Sequence, residues 1–128
     1  MRVLLDTHVL VWACFDRKKL SPTVAALLLD TSSELFFSAA SIWEIAIKVG
    51  IKKLYIPGGV EQMVWDLGSQ VLATPIQVNT SHAAAVEHLP SHHGDPFDKL
   101  LTAQSMFERM PIVSIDDKLD GFGVNRIW

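Results

Sequence analysis

Six carboxylates fall where strands would end and helices begin. Asp6 follows the apolar run Val3-Leu4-Leu5, and Glu44 closes Ser41-Ile42-Trp43-Glu44. Asp95 and Asp98 frame Asp95-Pro96-Phe97-Asp98, while Asp116 and Asp117 follow Ile112-Val113-Ser114-Ile115. Carboxylates brought to one edge repel one another and raise each other's pKa values, so folding alone supplies no reason to gather them. A hard divalent cation supplies one, because Mg²⁺ and Mn²⁺ take oxygen ligands and Mg²⁺ completes its shell with water. Such an ion polarises a phosphoryl oxygen and activates water for in-line attack, with a second ion stabilising the leaving oxygen in two-metal sites.

Each acid also has a structural use. Glu44 fits a capping box with Ser41 and stands four residues before Lys48, a favourable helical pair. Asp95 fits an N-cap, with Pro96 at the first helical position and Asp98 facing the helix dipole. Asp116 or Asp117 could cap a turn. Asp6 resists such an account, since an acid ending a buried apolar strand has few structural uses.

The elements that must position these acids alternate in type. Val3-Leu4-Leu5 and Leu35-Phe36-Phe37 are continuous apolar runs, as strands buried on both faces would be. A helix is predicted from His8 to about Phe15. Another opens at Ser21-Pro22 and runs through Leu29, a third spans Ser41 to Val49 with Gly50 as its stop, and a fourth covers 60–69. Residues 71–78 supply a strand region that Pro75 interrupts. Thr80 or Ser81 starts a helix ending before Pro90, and Ser91-His92-His93-Gly94 reads as a loop. Asp95-Pro96 opens a long helix to about Met110, and Ile112–Ile115 and Val124–Ile127 read as closing strands. Strands separated by helical crossovers imply a three-layer α/β/α fold around a central, mainly parallel sheet of four to five strands. In such sheets, sites form beyond the carboxyl ends of the strands, where these acids fall.

The chain has 128 residues, 49% of them hydrophobic and 20% charged, which argues for a single domain over 1–128 and against disorder. One cysteine, Cys14, excludes an internal disulfide framework and a thiolate metal cage, and fits a reducing cytoplasm. Met1-Arg2 leads directly into the first strand with no signal-peptide pattern, and no apolar run approaches the ~20 residues of a membrane span. A cytoplasmic protein with no membrane association is expected.

Other features carry less. His82, His88, His92 and His93 do not make a zinc pattern, because only His88 and His92 have helical spacing and Leu89-Pro90 breaks a shared helix. These histidines are expected on exposed loops and helices. Arg17-Lys18-Lys19 and Lys48, Lys52 and Lys53 read as solvated basic faces; the functional alternative is phosphate contact, with Lys48 on the helix face of Glu44. Trp12, Trp43 and Trp65 are expected in the core or an interface. No P-loop is present, and Gly121-Phe122-Gly123 comes too late to open a dinucleotide site. Position 8 is His, so the Asp-x-Asp opening of dehalogenase-like phosphatases is missing, as are the paired acids of a response-regulator receiver.

Three segments, Leu4-Leu5-Asp6-Thr7-His8, Ser38 through Lys48, and His93-Gly94-Asp95-Pro96-Phe97-Asp98-Lys99-Leu100-Leu101, resemble the PIN-domain proteins. Within that superfamily they look like VapC-type toxins of type II toxin–antitoxin pairs, in the same order and spacing from Arg2 to the end. The resemblance implies a Mg²⁺- or Mn²⁺-dependent endoribonuclease acting on structured RNA such as tRNA or rRNA. It also implies a homodimer neutralised by a small cognate antitoxin. Carried over by position, the catalytic and metal-binding acids are Asp6, Glu44, Asp98 and Asp116, with Thr7, Asp95 and Asp117 in support. Water would attack phosphorus in line and leave a 5′-phosphate. The rival expectation is a catalytically silent PIN-like module that binds RNA or protein.

With 14 acidic and 11 basic residues the net charge is −3, which at first argues against a nucleic-acid partner. Setting aside the four site acids leaves the remainder close to neutral. The negative surplus would then lie where cations bind, and a divalent ion there makes the site attractive to phosphate.

Overall fold

The computed structural model describes residues 1–90 and 94–128. Five strands form one sheet in the order β3-β2-β1-β4-β5, every neighbouring pair parallel: β1 Arg2–Leu5, β2 Glu34–Ser38, β3 Ala73–Ile76, β4 Ile112–Val113 and β5 Arg126–Ile127. The helices are α1 Thr7–Phe15, α2 Pro22–Leu29, α3 Ala39–Gly50, α4 Val60–Ser69, α5 Thr80–Ala85 and α6 Pro96–Phe107, and a 3₁₀ turn covers Asp117–Phe122. The expected three-layer α/β/α fold is present.

The layers follow from strand alternation, in which successive side chains point to opposite faces. Val3 and Leu5 of β1, with Leu35 and Phe37 of β2, pack against Val9, Leu10, Val24, Ile45, Met63 and Leu67 from the first four helices. Leu4 and Ile112 face the other way and meet Leu101 of α6 with Met110, Leu119 and Phe122. The chain moves outward from β1 through β2 to β3, then returns to place β4 on the other side of β1. The reversal opens a crevice beyond the carboxyl ends of β1 and β4, the usual place for a site in such sheets.

Several expected boundaries move, for physical reasons. Pro75 lies within β3 instead of interrupting it; β3 is an edge strand, where a missing N–H costs no ladder bond. Helix α3 begins three residues early, capped by Ser38, whose Oγ accepts the Ala40 N–H at 3.0 Å. Ser41 therefore sits inside the helix and forms no capping box with Glu44, which falls in the second turn. Helix α6 ends at Phe107, short of Met110, and β4 is shorter than the apolar run Ile112–Ile115 suggested. His82 is buried, against the expectation of exposure: its ring accepts the Asn79 N–H in a capping box and contacts Glu108 at 2.9 Å. Trp43 and Trp65 are 61% and 71% exposed, so neither is a core residue. His92 and His93 lie outside the described residues.

Ser38 joins β2 to α3 without a loop, and its side chain is fully buried. Ser38→Ala removes the cap and leaves the Ala40 N–H unpaired, at a cost of about 1–2 kcal/mol. The expected result is a thermal midpoint lower by several degrees, read by circular dichroism. An unchanged midpoint would mean that α3 starts from Ser41 after all.

Candidate active site

Asp6 is the first residue beyond β1 and, against the expectation that it has few structural uses, it caps α1, which therefore starts at Thr7 and not at His8. Its Oδ1 accepts the Thr7 N–H at 2.7 Å, and its Oδ2 accepts the Ser114 hydroxyl at 2.6 Å. It is only 4% exposed. Burial pushes its carboxyl pKa up, and the nearby charge of Glu44 adds to the rise; the bonds from Ser114 and Thr7 and the charge of His8 oppose it. Burying an ionisable acid this way opposes folding at neutral pH, and such groups cluster at functional sites.

Thr7 connects Asp6 to Glu44. Its Oγ1 lies 2.9 Å from Glu44 Oε1 and 3.0 Å from Ser41 Oγ. A hydroxyl has one proton, and a carboxylate only accepts, so Thr7 donates to Glu44 and Ser41 donates to Thr7. On its other oxygen, Glu44 Oε2 receives Lys48 Nζ at 2.7 Å. The expected Glu44–Lys48 helical pair is therefore present. The Lys48 pKa is raised by its hydrogen bond to Glu44, offset in part by desolvation, with further support from the charges of Asp95 and Asp98.

Asp95 caps α6 as the capping chemistry predicts, accepting the Phe97 and Asp98 N–H groups on Oδ1. Asp98 occupies the first turn of that helix and is partly buried. Asp116 caps the 3₁₀ turn, accepting the Lys118 N–H at 3.0 Å, while its own N–H donates to Ser114 Oγ. Asp117 is exposed on the same turn.

The fold thus brings Asp6, Thr7 and Glu44 into one bonded group and ties Asp116 to Asp6 through Ser114. Asp95 and Asp98 lie within electrostatic reach of Lys48. Among the described residues, however, no three His, Cys, Asp or Glu side chains are placed to hold a metal ion together. The donor set is all oxygen, and the Lys48 ammonium already pairs with one of its members, Glu44. These residues fit a hard cation that takes few carboxylates and completes its shell with water, not a closed protein cage.

Ser41 and Ser114 are the site residues that sequence reasoning missed. A signal for Ser114 exists in retrospect. The register aligns Leu5 with Val113, so the residue after each faces the other, and one polar residue breaks an apolar run at that position. Behind it, Arg126 Nη1 donates to the Ser114 carbonyl at 3.0 Å, and its Nε and Nη2 bond Asp120 at 2.8 and 3.0 Å.

Comparison with known proteins agrees with this architecture. One chain in the crystal structure of VapBC2 from Rickettsia felis, bound to a DNA fragment from its promoter, superposes with a TM-score of 0.72 at 13% identity, covering 99% of this chain and 98% of that one. DNA-bound VapBC from Salmonella typhimurium gives 0.65 at 15% identity, covering 99% and 97%. FitAcB from Neisseria gonorrhoeae gives 0.62 at 17% identity, covering 98% and 96%. At such identities the likeness is one of fold. No curated protein sequence matches the chain. The PIN domain family model matches residues 3–124, almost the whole length. The chain belongs to the PIN domain family.

Proposed function

We propose that this protein is a Mg²⁺- or Mn²⁺-dependent endoribonuclease and the toxin of a toxin–antitoxin pair. The observation that carries the reading is Asp6: a carboxylate buried against its own ionisation, bonded through Thr7 to Glu44, at the sheet's topological switch. Asp6, Asp98, Asp116 and Glu44 would hold the ion, directly or through water, with Asp95 and Asp117 in support. When bound, it supplies Lewis-acid polarisation of a phosphoryl oxygen and activation of water.

The chain's own residues do the rest. Ser114 and the Thr7 N–H hold the Asp6 carboxylate in one orientation. The Thr7 hydroxyl fixes Glu44 Oε1, and Glu44 would orient or deprotonate the attacking water, or complete the coordination shell. Attack in line at phosphorus leaves a 5′-phosphate and needs no 2′-hydroxyl nucleophile. Structured RNA such as tRNA or rRNA is the proposed substrate class, and a small cognate antitoxin the proposed regulator. The VapBC and FitAcB likenesses support the toxin–antitoxin assignment. A homodimer is also proposed; exposed Trp43 and Ile47 of α3, with Ile51 at its C-cap, offer apolar surface for a protein partner.

A second reading, a PIN module that binds without cutting, is favoured by one observation: no three metal-capable side chains are gathered among the described residues. Incubating the protein with total tRNA and rRNA, with Mn²⁺ or with EDTA, separates the two. Discrete fragments bearing 5′-phosphates, formed only with the metal, are expected. Tight RNA binding without metal-dependent fragments would favour the binding module.

A further inference from the structure

We infer that Lys48 is the resident cation of the acidic site, holding Glu44 and resisting the divalent ion until substrate phosphate draws its ammonium away. The inference rests on the nuclease reading above and adds a residue to it. The motivating geometry is an ion pair made by one of the proposed metal ligands. Lys48 Nζ lies 2.7 Å from Glu44 Oε2, while Glu44 Oε1 is already bonded by Thr7. Both oxygens of one proposed ligand are therefore engaged within the protein.

Two further observations separate Lys48 from an ordinary surface ion pair. Its side chain is 41% exposed while that of Glu44 is 8% exposed, so a buried carboxylate is paired with a lysine side chain that is partly open to solvent. It also lies in the field of Asp95 and Asp98 on a different helix, so its charge serves acids from two elements of the fold. An ammonium carries three N–H donors on a flexible four-carbon stem, and one of them goes to Glu44. The same group can swing to a phosphoryl oxygen without leaving the acids' field. In doing so it releases Glu44 Oε2 at the moment substrate arrives, and it stabilises negative charge developing on the phosphoryl group.

The consequence is opposite signs on binding and turnover. Lys48→Met keeps the stem and removes the charge. A positive charge a few ångströms from a divalent ion opposes its binding, so its loss is expected to tighten Mn²⁺ binding by about tenfold. Cleavage of a fluorogenic RNA should fall by about 10²-fold in kcat, because the donor to the phosphoryl group is gone. Lys48→Arg, which keeps the charge, should retain weak Mn²⁺ binding and part of the activity. Free Mn²⁺ is counted by electron paramagnetic resonance on the full chain, with no RNA present, and a thermal melt confirms that each variant is folded.

Mn²⁺ binding that is unchanged or weaker in folded Lys48→Met overturns the inference while leaving the nuclease reading intact. So does full activity in that variant. A wild-type protein that neither binds Mn²⁺ nor cuts RNA overturns both.

Discussion

Replacing Asp6 by Asn is expected to move activity and stability in opposite directions. RNA cleavage should fall by at least ~10²-fold, since loss of even an outer-shell partner of a metal site costs about 10–100-fold, and Asp6 is the proposed innermost acid. The fold, however, should become more stable at neutral pH. Burial raises the Asp6 carboxyl pKa in the folded protein. The folded state therefore holds the proton more tightly than the unfolded chain does. That contribution favours folding in acid and is lost as pH rises through the folded value. Asparagine is never charged, so it removes the penalty that ionised Asp6 carries at pH 7.5. It keeps an oxygen for the Thr7 N–H, and the Ser114 hydroxyl can accept from its amide instead of donating to it.

Melting in EDTA should show Asp6→Asn a few degrees above wild type at pH 7.5 and level with it in acid, where wild-type Asp6 is protonated. Added Mn²⁺ should raise the wild-type midpoint by mass action and leave the variant unmoved. A variant less stable than wild type at pH 7.5 would show that the bonds from Ser114 and Thr7 outweigh desolvation. Asp6 would then be retained as the cap of α1 and not for chemistry.

The parts legible in the sequence are those governed by local chemistry. Ser21-Pro22 and Asp95-Pro96 open helices where predicted, because a side-chain acceptor followed by a residue with no N–H suits a helix start whatever surrounds it. The apolar strands at residues 3–5 and 35–37 were readable for a similar reason. What stayed hidden depends on partners far along the chain. Ser38 and Ser41 are equally good caps by type. The choice falls to Ser38 because β2 runs directly into α3, leaving Ser41 to meet Thr7, 34 residues away. Ser114 bonds Asp6 across 108 residues, and its one local mark, a polar residue within an apolar run, gains meaning only once the register of β1 and β4 is known. His82 was expected on the surface yet is buried, because the Asn79 N–H, Gln104 and Glu108 give its ring hydrogen-bonding partners. Trp43 is the reverse case: a large apolar residue, 61% exposed, that touches Phe97 edge-on at 5.3 Å. The acids and Thr7 were therefore findable one by one, but the Ser41 and Ser114 hydroxyls that bond them were not.

Leu101→Ala is the substitution expected to cost most stability, and its effect should reach the site. Leu101 is fully buried between α6 and the face of the sheet that carries Leu4 and Ile112. Among the described residues, that second core has Leu4, Leu101, Met110, Ile112, Leu119 and Phe122 as buried members, with a few partly buried neighbours. A small core has little material with which to collapse into a cavity, so the cost belongs toward the upper part of the usual Leu→Ala range of about 2–5 kcal/mol. Against a total stability of about 5–15 kcal/mol, this is a large fraction, and it corresponds to a midpoint lower by roughly 10 °C or more. The same cluster seats α6, which presents Asp95 and Asp98, and the 3₁₀ turn capped by Asp116. Loosening it should therefore depress Mn²⁺ binding at temperatures well below the melt, while Asp6 and Glu44, anchored in the other core, keep their places. Leu29→Ala is the matched control: Leu29 is 72% exposed on α2, and its loss should change stability by less than ~0.5 kcal/mol. Urea denaturation of both variants, with Mn²⁺ binding followed in parallel, tests the pair. A Leu101→Ala protein that unfolds within about 1 kcal/mol of wild type would show that α6 is held by its contacts with α3 and α5 and not by this core.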